Sequence, residues 1–206
     1  MSNKSMYELT KPQKSIWLTE KYFDEFPINN ICGSVIIKQP TDLKLLNAAI
    51  NYFVKNNDSF KLRIKLENGE PVQYFADDEN YEFEMLNIND ENQIAFYAKK
   101  EVNTKFNLLN SKLFNFKLFK LPSGFGGFII NAHHIISDAQ TLSLLATEIV
   151  QNYYNLIHKE ELTPKMYSYI DYINSEKEYL KSSRFEKDKL YWQDALNPLP
   201  DIASIP

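Results

Sequence analysis

Two adjacent histidines and an aspartate four positions further on, His133, His134 and Asp138, are the residues best suited to chemistry in this sequence. Imidazole, with a free pKa of about 6.5, can take up and return a proton near neutral pH. The pair ends an apolar run, GGFIINA over Gly126 to Ala132, that reads as a central strand covered on both faces. Successive side chains on a strand point to opposite faces. His133 and His134 therefore cannot serve one site together. That argues against a shared metal, for which no third ligand stands at a suitable spacing, and for one working histidine beside one structural one. Either Ser137 or Asp138 is placed to cap the helix that follows, where the helix dipole favours a carboxylate. From residue types alone, two satisfied core histidines outweigh a catalytic pair. The third histidine, His158, falls late in a helix beside Lys159 and reads as a surface residue.

Positioning those residues requires a layered fold. Leu9 to Phe23 predicts a helix capped by Thr10, with Ile16, Trp17 and Tyr22 to Phe23 on its apolar face. CGSVII, from Cys32 to Ile37, reads as a short buried strand. Pro40 and Thr41 open a helix whose Leu46, Ala49, Ile50, Phe53 and Val54 recur at helical spacing, ended by Asn56-Asn57-Asp58. Phe60 to Leu66 alternates Phe60, Leu62, Ile64 and Leu66 with Lys61, Arg63 and Lys65, which predicts one buried and one polar face. Asn68-Gly69 turns the chain into a second strand, Pro71 to Phe75. A strand over 81–86 and a helix over 91–105, capped by Asp90 with Ile94, Ala98 and Val102 inward, come next. Leu113 to Leu121 alternates again, and Pro122-Ser123-Gly124 turns into the histidine strand. Gly124, Gly126 and Gly127 mark a turn or a close approach. The helix after Asp138 carries Leu142, Leu145, Ala146, Ile149 and Tyr153 as one stripe. Beyond a linker near Pro164, helices are expected over 168–181 and 184–196, then a proline-rich connector, NPLPDIASIP. Mixed strands, hairpins and helices indicate an α/β (α+β) layered fold, a mixed sheet flanked by helices.

Composition narrows the function classes. With 206 residues, 44% hydrophobic and 24% charged, the chain has ample material for a core and is not a disordered sequence. Its net charge of −4 and the lack of a basic stripe argue against nucleic acid as a partner. No apolar run is long enough to span a membrane, and the polar N-terminus does not read as a signal peptide, so neither a leader nor a membrane partner is expected. Cys32 is the only cysteine, which excludes an internal disulfide and makes a reducing, cytoplasmic location the expectation.

NAHHIISDAQTL, residues 131 to 142, resembles the HHxxxDG motif of the condensation domains of nonribosomal peptide synthetases, within the chloramphenicol-acetyltransferase-like superfamily. Three further stretches agree in order. TKPQKSIW (10 to 17) is similar to the family's SxAQxRLW through Gln13 and Trp17. VKNNDSFKLRI (54 to 64) resembles RHExLRTxF more weakly, with Asp58, Phe60 and Lys61 standing for its Glu, Leu and Arg. YWQDALNPLPDIASIP (191 to 206) resembles the passage from the first lobe to the second. The sequence departs from the motif at Ala139, where the family has Gly, a change a helix start accommodates. Lys61 replaces an Arg that pairs with the motif Asp in the family. Lysine keeps the charge and loses the two-pronged geometry, so its pairing with Asp138 is expected to be less rigid.

The resemblance implies a chloramphenicol-acetyltransferase-like lobe over residues 1–180, with 181–206 as a helix and connector toward a missing C-terminal lobe. It implies amide bond formation between acyl or aminoacyl thioesters, with catalysis at His134, His133 fixing the strand end, and Asp138 orienting the loop through a charge pair with Lys61 or Arg63. Gln13 and Trp17 are expected to pack and hydrogen-bond. No cofactor is expected to bind directly, because substrates arrive on the phosphopantetheine of peptidyl or acyl carrier protein domains. A half-domain is expected to be inactive alone. The first motif stands close to Met1, so the donor is expected from a separate protein or loaded carrier. Rival expectations are an acyl-CoA-dependent O- or N-acyltransferase, an epimerisation domain, and a non-catalytic lobe that docks carriers.

Overall fold

Thr10 begins the first helix by exchanging hydrogen bonds with Gln13. The Thr10 hydroxyl accepts from Gln13 N at 3.4 Å, and Gln13 Oε1 accepts from Thr10 N at 2.9 Å. In the computed structural model, which describes residues 5–77, 79–164 and 168–198, a short strand Tyr7–Glu8 (β1) precedes this helix, Lys11–Tyr22 (α1). Strand Asn30–Pro40 (β2) follows, longer at both ends than the expected Cys32 to Ile37. Helix Leu43–Asn56 (α2) is capped by Asp42, whose carboxylate accepts from Lys44 N and Leu45 N. All five residues expected on its apolar face are buried. The short helix Asp58–Lys61 (α3) comes next, then strands Leu62–Glu67 (β3) and Glu70–Phe75 (β4). Asn68 and Gly69 both have positive φ between them, as a tight hairpin turn requires.

Strand Glu84–Asn87 (β5), helix Asn92–Val102 (α4), strands Phe114–Lys120 (β6) and Phe125–His133 (β7), and helix Ala139–His158 (α5) complete the first of two compact units, Met1–Ser168. Its strands form a three-stranded sheet, β1-β4-β3, and a four-stranded sheet, β2-β7-β6-β5. The pairing of β5 with β6 is parallel and the others are antiparallel, so the larger sheet is mixed. β7 is internal, as its apolar run predicts. Ile129 and Phe119 form a core cluster with Ile94 of α4. Phe114, Phe116 and Phe128, on the opposite face by alternation, join ring to ring with Phe60 and, through it, Phe53 of α2. Helices therefore flank both faces. α2 and α5 also pack on each other, with Tyr153 accepting from Asp42 N at 2.9 Å.

The glycines before the histidines allow β2 and β7 to close up. A Cβ on Gly127 would collide with the Val35 carbonyl oxygen and stand 2.7 Å from Phe119 Cζ, while one on Gly126 would stand 2.7 Å from Thr41 Cβ. Gly124 turns the chain at φ +84°.

Two expectations are corrected around β3. Phe60 and Lys61 belong to the helical turn α3 rather than the strand. Arg63 does not lie on a polar face: it is 5% exposed. Its guanidinium donates to Phe60 O at 3.2 Å, Leu62 O at 2.9 Å and the Tyr81 hydroxyl at 3.0 Å, which satisfies the buried charge locally.

The second unit, Tyr169–Pro206, holds helices Tyr169–Leu180 (α6) and Ser183–Ala195 (α7). Ser182 caps α7 through Phe185 N, and the Tyr179 hydroxyl donates to Asp188 at 2.8 Å. The expected connector lies, from residue 199 on, outside the described residues. Among the described residues no helix is long and apolar enough to cross a membrane.

Candidate active site

The two histidines separate where β7 ends, His133 as the last strand residue and His134 as the first of the turn that follows. His133 ends β7 and is 1% exposed, while His134 is exposed. His133 Nδ1 accepts from Ile135 N at 3.2 Å, so the ring carries its proton on Nε2, which donates to Glu20 Oε1 at 3.1 Å. Burial pushes the His133 pKa below its usual 6.5 and outweighs the opposing pull of the Glu20 carboxylate. The Phe106 ring meets the His133 ring edge-on at 6.2 Å. His133 is thus a neutral, fully engaged side chain.

Hydrogen bonds to backbone fix the turn that follows. His133 O accepts from Ile136 N at 3.0 Å and from the Ser137 hydroxyl at 3.1 Å. His134 N donates to Asn29 O at 2.7 Å, and Ile135 O accepts from Gln13 Nε2 at 3.2 Å. Gln13 Nε2 also donates to Gln73 Oε1 at 2.9 Å, so one buried carboxamide links α1, β4 and the histidine turn. Trp17 is 7% exposed and packs under Lys21, whose Nζ stands 5.3 Å from the indole centroid. Gln13 hydrogen-bonds and Trp17 packs.

Asp138 is the N-cap of α5. Its Oδ1 accepts from Thr141 N and from the Thr141 hydroxyl, each at 2.7 Å, and these bonds hold its carboxyl below the usual 3.8. The expected charge pair with Lys61 or Arg63 is not made. Lys61 Nζ stands 3.7 Å from Asp58, and Arg63 turns toward Tyr81, with Glu79 at 3.9 Å. A helix N-terminus supplies two donors to Asp138 with no long side chain to immobilise, so the cap is the better-satisfied arrangement.

Glu20 was not singled out in the sequence. Its signal was present: Gln13, Trp17 and Glu20 recur at spacings of four and three, which places a carboxylate on the buried face of α1. A surface cavity of about 450 Å³ opens beside it, walled by Trp17, Glu20, Lys21, Asp24, Lys105 and Phe106, with neither His134 nor Asp138 in its lining. Among the described residues no group of three His, Cys, Asp or Glu side chains is placed to hold a metal. His158 is exposed, with Nδ1 2.8 Å from Tyr154 O.

The family model described as "Condensation domain" matches residues 3–206. The chain belongs to the condensation-domain family. Surfactin synthase subunit 1 of Bacillus subtilis (strain 168) is 34% identical over 209 residues, which cover 98% of this chain and 6% of that protein. Among solved structures, the starter condensation domain of rhizomide synthetase, as a variant in complex with C8-CoA, matches with a TM-score of 0.88 at 21% identity, covering 98% of this chain and 48% of that one. The first condensation domain of the calcium-dependent antibiotic synthetase, in complex with a substrate analogue, matches with a TM-score of 0.86 at 18% identity, over 97% and 50%. The chain thus spans about half the length of these solved condensation domains and shares their fold.

Proposed function

We propose that this chain is the N-terminal lobe of a condensation domain that forms an amide bond between acyl or aminoacyl groups held as thioesters on the phosphopantetheine arms of carrier proteins. The observation that carries this reading is the exposure of His134 at the end of a central strand whose preceding histidine is buried and bonded. In this reading the compact unit Met1–Ser168 is the body of the lobe, and a second lobe completes the site.

In the reaction the acceptor's amine nitrogen attacks the donor thioester carbonyl carbon. The new C–N bond forms, the C–S bond breaks, and the donor arm leaves as a thiolate. A ring nitrogen of His134 takes the proton lost by the amine and returns it to the departing sulfur. A positioned base contributes about 10²–10⁴ in rate. Holding two tethered reactants together contributes about 7–11 kcal/mol of the barrier. Positioning is therefore the larger effect, and His134 also serves to align the amine. Asp138 holds the start of α5, and His133 holds the strand end.

The test is amide formation by the intact protein with both carriers loaded. His134→Ala is expected to lose about 10²-fold or more in turnover with its folding intact, while His133→Ala loses stability first. Undiminished product from His134→Ala would refute the reading. A donor delivered as acyl-CoA is the second reading, favoured by the solved relative in complex with C8-CoA. Turnover with acyl-CoA in place of the loaded donor carrier distinguishes the two.

A further inference from the structure

Glu20 touches both residues that anchor His134. Its Oε1 accepts from His133 Nε2 at 3.1 Å and from Asn29 Nδ2 at 2.9 Å. Asn29 in turn offers its backbone oxygen to His134 N at 2.7 Å. The contacts close a ring. It runs from Glu20 to His133, through the peptide bond to His134, across to Asn29 O, and back through the Asn29 side chain to Glu20. The carboxylate is 8% exposed and His133 1%, so water is poorly placed to replace either bond.

The ring also selects a tautomer. An acceptor at Glu20 keeps the His133 proton on Nε2. That leaves Nδ1 bare to accept from Ile135 N at 3.2 Å, the bond that shapes the turn carrying His134. Without the acceptor, a proton moved to Nδ1 would face the Ile135 N–H donor to donor. The turn would lose a bond on the side where His134 is held.

We propose that Glu20 is a positioning residue for the condensation reaction, fixing the His133 tautomer and the Asn29 side chain so that His134 is held in place on the turn after β7. This rests on the role of His134 proposed above.

In the intact protein, Glu20→Ala is expected to lower kcat by about 10²-fold with the KM of both thioester substrates unchanged, the loss that follows when a reacting group is misplaced by about 1 Å. Glu20→Gln keeps a carbonyl oxygen at the same place and is expected to restore kcat to within about threefold of the parent. The ¹⁵N shifts of His133 should report the Nε2–H form in the parent and in Glu20→Gln, and a growing Nδ1–H form in Glu20→Ala, a change that a loss of general stability does not produce. A folded Glu20→Ala protein with parental kcat overturns the proposal, as does a Glu20→Gln protein as slow as Glu20→Ala. If Glu20→Ala does not fold, Asn29→Ala opens the ring at its other side. Lower kcat at unchanged KM is then the expected result, and unchanged kcat the overturning one. His134→Ala, measured alongside, separates the two claims. Parental turnover there removes the role of His134 and the positioning with it, whereas parental turnover at Glu20→Ala alone removes only the positioning.

Discussion

Thr141 donates to Asp138 twice, through its backbone nitrogen and through its hydroxyl, each at 2.7 Å to the same carboxylate oxygen. This relationship places the motif aspartate at the head of α5, with Lys61 engaged instead at Asp58. Asp138→Ala should therefore destabilise the chain by about 0.5–2 kcal/mol, the usual cost of a lost N-cap, while Asp138→Ser or Asp138→Asn should recover most of it. A double-mutant cycle between Asp138 and Lys61, followed by urea unfolding, should give a coupling energy near zero. Strong coupling would restore the charge pair that the geometry lacks.

His133 makes stability depend on pH in a defined window. Its folded pKa lies below the usual 6.5 because burial disfavours the charged ring. The unfolded chain therefore binds a proton there more readily than the folded one. The contribution of His133 is complete above 6.5 and is lost as pH falls from that value through the lowered folded pKa. Asp138, held below its usual 3.8 mainly by Thr141, adds a second loss that begins only under that value. Thermal melts from about pH 2 to about pH 7 should show a first decline starting near the histidine value and a second one below the aspartate value. His133→Gln should flatten that first decline and leave the more acid one in place.

Gly127 is expected to resist any side chain. An added Cβ meets the backbone of β2 at Val35 rather than a flexible side chain, so the two strands must separate. Gly127→Ala should cost about 1–3 kcal/mol, the range for overpacking a filled core. Gly33→Ala, whose Cβ would rest 3.8 Å from Leu142 Cδ1, should cost less. Equal melting temperatures for the two variants would contradict this account of β2 and β7.

Much of the layered fold was legible in the sequence because its signals are local. Leu46, Ala49, Ile50, Phe53 and Val54 define one helical stripe without reference to any partner. The Asn68-Gly69 turn and the double-sided apolar run of β7 likewise describe themselves. Strand alternation predicted that His133 and His134 would part; they do, one buried and one exposed, although His134 already lies in the turn beyond β7. The order of the four motifs, carried in the sequence itself, pointed to the condensation-domain family.

Only the tertiary structure decided who meets whom. Glu20 lies 113 positions from His133, and the helical spacing that marks it as buried says nothing of which strand it faces. Arg63 alternates like a solvent-facing residue, yet nearby carbonyl oxygens and the Tyr81 hydroxyl draw it inside. Asp138 was expected to pair with Lys61 or Arg63, and Thr141, three residues on in the helix that Asp138 caps, holds it instead. Periodicity records which face of an element is turned from water, because burial acts on each segment through its own pattern. Partners of buried polar groups are set by distances between segments, and those exist only once the chain has packed.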